Sequence, residues 1–441
     1  YLFVDVTGRN DWSSALATPV SSKNSSFFYP SVSGSLVVSE LVKVPKISFL
    51  KLRASYAQIG NDTDPYQTAG AFVPATPYNS APTLSDQNII ANPNLKPEQT
   101  KSVEFGTDIR FFGNRLGIDF TYYNALTENQ ILSLPVSTST GYGQRVTNGG
   151  SVRSKGIEVI LNGAPIVSKN FRWNSTINFS RNRATVESLP EGAKRLTLAY
   201  SRVYDSPNQT VYYIATEGGR IGDIWGDGYV KNAEGKFIVD NNGNLVADNV
   251  LKKLGNYNPD FMLGFSNNFK YKQFDFGFLF DWRQGGILVS RTLALAGVAG
   301  QLKETENRPT EGLAFDAVVN TGTTANPVFV QNTKKISAES YYRQFYDRNH
   351  EENSIYDDSY LKLRQFNIGY TLDKAALAKT FLKNLQSVKL SFVGRNVFAI
   401  SNIPHFDPEQ LALQGNKFLN GVEDMSYPTA RSFGLSLGVN F

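Results

Sequence analysis

Along much of this sequence, aromatic and aliphatic side chains occupy every second position, with small or charged residues between them. Val103, Phe105, Thr107, Ile109 and Phe111 alternate with Glu104, Gly106, Asp108 and Arg110. Phe274, Phe276, Phe278, Phe280 and Trp282 alternate with Asp275, Gly277, Asp281 and Arg283. Phe433, Leu435, Leu437, Val439 and Phe441 alternate with Ser432, Gly434, Ser436, Gly438 and Asn440. A period of two is that of a β-strand, whose successive side chains point to opposite faces of a sheet. The chain must therefore build sheet with one heavily aromatic face and one face carrying charges at strand centres.

Twelve such runs are legible, at approximately 1–12, 30–40, 48–59, 99–112, 114–126, 152–164, 171–183, 258–271, 273–284, 360–373, 386–399 and 432–441. Each is close to the roughly 9–11 residues that cross a bilayer at a tilt. In the run 360–373 the apolar phase slips near Gln365, which predicts a β-bulge. The connections sort by length. Short turns are expected at 41–47, 112–114, 165–170, 271–273 and 374–385, and long segments at 13–29, 60–98, 127–151, 184–257, 285–359 and 400–431. Short turns on one side and long loops on the other are the arrangement of an outer-membrane barrel. A soluble β-sandwich also alternates, but its connections do not sort this way and its buried face is mixed aliphatic.

Composition agrees. Aromatics are 13% of the residues, with 30 Phe and 22 Tyr, yet the mean hydropathy is slightly negative. No apolar stretch reaches the length of a membrane-crossing helix. With no cysteine, neither disulfides nor thiolate metal sites can form. The net charge of +5 is spread without a Lys/Arg block, so no nucleic-acid surface is expected. The chain opens on Tyr1-Leu2-Phe3-Val4-Asp5-Val6, as if in the middle of a strand and without a signal peptide. The expectation is that 1–441 is one part of a longer barrel protein.

Several segments also resemble the SusC/RagA-like TonB-dependent transporters of the Bacteroidetes. They are Tyr29-Pro30-Ser31-Val32-Ser33-Gly34, Leu50-Lys51-Leu52-Arg53-Ala54-Ser55-Tyr56-Ala57-Gln58-Ile59-Gly60-Asn61 and Asn92-Pro93-Asn94-Leu95-Lys96-Pro97-Glu98. Further along come Asn148-Gly149-Gly150-Ser151-Val152-Arg153-Ser154-Lys155-Gly156 and Tyr427-Pro428-Thr429-Ala430-Arg431-Ser432-Phe433. The resemblance implies the C-terminal twelve strands of a 22-strand all-β transmembrane barrel in the bacterial outer membrane. The plug and N-terminal domain would lie outside this chain. It further implies import of oligosaccharides or oligopeptides with a SusD-like surface lipoprotein, energised by the TonB complex through that missing part. A barrel kept as a structural or assembly subunit of a larger outer-membrane complex is the second reading.

The motifs themselves read structurally. Pro30 and Pro428 are expected at or just before strand starts. Asn92–Thr100 reads as a stiff turn, and Gly149-Gly150 as a tight backbone path rather than a phosphate cradle. Phe441 suits an outer-membrane sorting signal. Nothing points to an enzyme, a cofactor or a metal. His350 and His405 lie in no nucleophile motif, and the pairs Glu351-Glu352 and Asp357-Asp358 read as solvated loop carboxylates. Asp240-Asn241-Asn242-Gly243-Asn244 has the spaced oxygens of a calcium loop but lacks its distal Glu, and reads better as a hairpin turn. Trp225 and Tyr229 in one loop, and Tyr341 and Tyr342 in another, are candidates for substrate or partner contact, with loop packing as the alternative. The charges expected to face the lumen, such as Asp108, Arg110, Asp281 and Arg283, are mixed in sign and do not choose between glycans and peptides.

Overall fold

In the computed structural model, which describes residues 1–190, 192–202, 210–347, 350–414 and 417–441, the alternating runs form one twelve-stranded antiparallel sheet. Its strands are β1 (Leu2–Trp12), β2 (Ser26–Val37), β3 (Ile47–Asn61), β4 (Glu98–Phe111), β5 (Leu116–Glu128) and β6 (Ser151–Val167). They continue as β7 (Phe171–Ser188), β8 (Phe261–Tyr271), β9 (Phe274–Gln284), β10 (Tyr360–Asp373), β11 (Ser387–Ser401) and β12 (Ser432–Asn440). Each strand pairs with its neighbour in sequence, so the sheet is a pure up-and-down meander.

Register keeps the two faces separate across the sheet. Phe265 lies opposite Phe280 and Ile177, and Phe278 lies opposite Phe366. On the same face Trp173 stacks on Phe269 at 5.7 Å, Phe269 on Phe276 at 6.0 Å, and Phe274 meets Tyr370 at 4.7 Å. Cross-strand aromatic pairs of this kind each add roughly 0.5–1.5 kcal/mol beyond area burial. The one amide among them, Asn267, accepts the Trp173 indole N–H at 2.7 Å, so the indole's polar atom is satisfied on an apolar surface.

The turns show why the short connections can be short. Phe112, Gly113 and Asn114 all take positive φ (54°, 66° and 66°), and Lys272 does the same at 51°. Gly150 also needs its left-handed φ of 75°, and a Cβ on Gly149 would come within 2.9 Å of Pro190, as expected of a tight path. The bulge falls where the apolar phase slips. Register shifts between Leu363 and Gln365 of β10 against β11, and between Leu279 and Phe280 of β9 against β10. That extra residue sends both Arg364 and Gln365 to the polar face.

One expectation fails. Pro30 is not at the start of a strand but inside β2, opposite Gly8. The β2–β3 ladder begins only at Ser31, so at Pro30 the strand has a single neighbour and no second ladder to interrupt.

Candidate functional site

The polar face of the sheet is not a loose array of charges. Arg53 reaches across to Asp119 at 2.6 Å and to Thr121 at 2.6 Å, while Arg110 pairs with Asp108 at 2.9 Å. Lys389 pairs with Asp275 at 2.8 Å, and Arg283 with Asp358 at 2.9 Å. Arg53 and Lys389 each reach across an intervening strand to their acids, whereas Arg110 is matched on its own strand and Arg283 from the loop before β10. Such pairs set donors and acceptors side by side along the wall.

At β10 the wall and the last long loop lock together. Lys362 and Arg364 both bind Glu409, Lys362 also binds Asp407, and Arg364 meets Asp281 at 2.5 Å. Asp407 in turn accepts from the Thr429 hydroxyl. Burial alone would raise the Glu409 carboxyl, but Arg364 and Lys362 more than offset it and hold it at about 2. The signal for this cluster was present in the sequence. Lys362 shares a face with Asp281, and the bulge adds Arg364 to it.

The long segments do not hang free. Val211, Tyr213 and Ile224 from 189–260, Val289 from 285–359, and Ala412 and Val422 from 402–431 form one buried cluster. The Tyr213 hydroxyl donates to the Asn420 carbonyl at 2.8 Å across it. A second cluster joins Tyr229, Val239 and Leu245 to Phe315 and Ala317. On the other half, Leu16, Leu95 and Val146 unite the first three long loops. There the Asn148 amide donates to the Lys96 carbonyl at 2.8 Å and accepts the Lys96 N–H at 2.8 Å. Two separate sequence motifs are thus clasped together. The Asp240–Asn244 segment is a hairpin turn, its Asp240 carboxylate accepting the N–H groups of Asn242 and Asn244 at 2.8 and 2.9 Å.

The loop aromatics divide. Tyr229 is buried, donates to the Gln344 carbonyl at 2.6 Å and stacks on His350 at 4.6 Å. Tyr342 is buried, its hydroxyl shared between the carbonyls of Glu304 and Asn307. Tyr341 is half-buried and stacks on Phe315 at 4.3 Å. Trp225 is half-buried, and its Nε1 has no hydrogen-bond partner among the described residues. Phe441 follows β12 with its side chain almost fully exposed.

Of the two carboxylate pairs expected to be solvated, only Asp357 is exposed. Asp358 is buried against Arg283, and Glu351 is only 5% exposed. Its neighbour Glu352 accepts Lys231 at 2.7 Å and Lys252 at 2.9 Å. Burial pushes the Glu351 carboxyl up to about 8, with Asp227 beside it adding repulsion. The folded loop therefore holds a proton that the released chain would give up near the ordinary carboxylate value. Loop stability should be full below that ordinary value, fall as pH rises toward 8, and level off above. Proteolysis of 350–359, normalised to an unstructured peptide, should accelerate from pH 6 to pH 9. In Glu351→Gln the acceleration should shrink to the part contributed by Asp358, whose carboxyl burial pushes up to about 7, and a pH dependence equal to that of the parent protein would refute the assignment.

The family model described as TonB dependent receptor-like, beta-barrel, matches residues 1–397. TonB-dependent receptor P3 of Formosa agariphila is 29% identical over 476 residues, covering 100% of this chain and 44% of that protein. TonB-dependent receptor SusC of Bacteroides thetaiotaomicron is 25% identical over 361 residues, covering 79% of this chain and 32% of that protein. Among solved structures, the RagAB peptide transporter superposes with a TM-score of 0.72 at 20% identity, over 100% of this chain and 46% of that one. The chain thus spans less than half the length of these relatives.

Proposed function

Because the chain belongs to the TonB-dependent receptor-like β-barrel family of the outer membrane, we propose that it forms the C-terminal wall and loop cap of a SusC-type importer of oligomeric nutrients. The observation that carries this is the two-faced sheet. An aromatic surface suited to lipid lies behind a wall of paired charges, and interlocked loops join that wall at Arg283, Lys362 and Arg364. Paired charges bind a passing oligosaccharide or oligopeptide weakly at many places, which suits a conduit better than a trap.

On this reading, β1 and β12, each with only one neighbour in the large sheet, are closed by further strands, since lipid does not tolerate open sheet edges. A plug and TonB-engaging segment would occupy the enclosed space, and a SusD-like lipoprotein would seat on the loop cap. Trp225 and Tyr341 are the aromatics we carry forward as contacts for substrate or lipoprotein. Tyr229 and Tyr342 serve instead to hold the cap together.

The test is growth and uptake by a strain lacking the gene across a panel of oligopeptides and oligosaccharides. Loss on one substrate class, restored by the full-length gene, is the expected result. Unchanged uptake throughout, with the protein recovered in an assembly or secretion complex, would replace import by the structural reading.

A further inference from the structure

The aromatic face carries one feature that neither lipid tails nor a substrate path explains. At the outer ends of β6 and β7, where the long loops begin, the every-second-residue row changes from apolar to cationic. Val159 and Phe179 are succeeded by Ile157 and Arg181, then by Lys155 and Arg183, then by Arg153 and Thr185. Arg153, Lys155, Arg181, Arg183 and Thr185, with Glu187, line a groove of about 390 Å³ that also includes Tyr122, Gly156 and Ile157; Val159 and Phe179 lie just below it.

Depth places the change. From Phe171 to Arg181, at about 3.4 Å per residue and a tilt of about 40°, β7 climbs roughly 26 Å. The apolar band of such barrels is about 25 Å tall. The cations thus begin where hydrocarbon gives way to headgroups, on the side of the long loops.

Pairing within the protein satisfies only part of the cluster. Arg153 binds Glu187 and donates to Asn124 at 3.1 Å. Arg183 approaches Asp260 only to 3.5 Å, and Asp260 also lies 3.8 Å from Arg220. On the neighbouring strands Lys101 is matched by Glu128 at 2.6 Å. Lys155 and Arg181 are exposed and make no ion pair or hydrogen bond among the described residues. Two unmatched cations beside an apolar floor, at headgroup depth on a membrane-facing surface, call for an anion that arrives with an acyl chain.

We propose that this groove is a binding site for a phosphate-bearing glycolipid of the outer leaflet. Its phosphate sits between Lys155 and Arg181, with Arg183 alongside, and its acyl chains lie down the Ile157, Val159 and Phe179 surface. Guanidinium and ammonium groups on adjacent strands suit a tetrahedral phosphate, and the apolar floor distinguishes a lipid from a free ion.

The experiment uses the full-length protein in detergent, with native mass spectrometry of bound lipid. The probes are a phosphorylated diglucosamine lipid, the same lipid with its phosphate removed, and inorganic phosphate as competitor. The phosphorylated lipid should bind, and the double variant Lys155→Gln with Arg181→Gln should lose affinity roughly tenfold or more. Lys379→Gln with Lys383→Gln removes equal charge from the 374–385 turn at the other end and should change nothing. Heat-resistant gel migration shows whether each variant retains its barrel. Equal binding of the dephosphorylated lipid, equal loss in the control pair, or displacement by inorganic phosphate at matching concentration would overturn the proposal.

Discussion

Replacing Arg364 with Ala should detach the last long loop from the barrel wall. The guanidinium donates to both Asp281 and Glu409, and Lys362 alone cannot satisfy what it leaves behind. Removing one member of a largely buried ionic group strands the others, at a cost of up to roughly 3–5 kcal/mol, more than an exposed pair would give. Residues 402–413 should then exchange amide hydrogens faster by two orders of magnitude or more, while β10 and β11 stay protected. Arg364→Lys should recover part of the effect, because it restores the charge but not the fork that spans two carboxylates. Exchange unchanged in Arg364→Ala would mean that the loop is held by its hydrophobic contacts alone.

The second large effect concerns the opposite face. Phe278 lies at the centre of β9 with the rings of Phe265, Phe276 and Phe280 each within about 6.0 Å. Phe278→Arg places a charge near the bilayer midplane, which costs about 2–4 kcal/mol in barrels of this kind, and it removes several ring contacts besides. Leu279→Gln, one residue along on the polar face, should be nearly neutral. Refolding into lipid vesicles from urea, read by heat-modifiable gel mobility, separates the two. Equal tolerance of both substitutions would mean that the aromatic face does not meet lipid.

Much of this architecture was legible in advance because a period of two leaves little choice. Every alternating run is a strand of the large sheet, and the slip at Gln365 is a bulge. The errors have a common cause. β2 begins at Ser26 rather than 30 because Phe27 and Tyr29 point to the polar side, where they read as loop residues. The small sheet holding Asp223–Tyr229 carries no clean alternation, since both of its faces pack on other loops. Glu351 and Asp358 looked solvated because nothing local in the sequence announces which distant loop will cover them. Candidate contacts on Trp225 and Tyr341 were nameable as aromatics, whereas their depth depended on Phe315 and on backbone far away in sequence.

The shared core of the cap bears on how specificity in such a protein could be altered. Val211, Tyr213 and Ile224 are covered by Val289, Ala412 and Val422, which belong to other segments. Transplanting 189–260 alone into a related barrel would leave those side chains facing foreign surfaces and would expose their former partners. Under the proposed import, recognition would be inherited in blocks: 189–260, 285–359 and 402–431 should be exchanged together, and shuffling them singly should yield barrels that assemble beneath a collapsed cap.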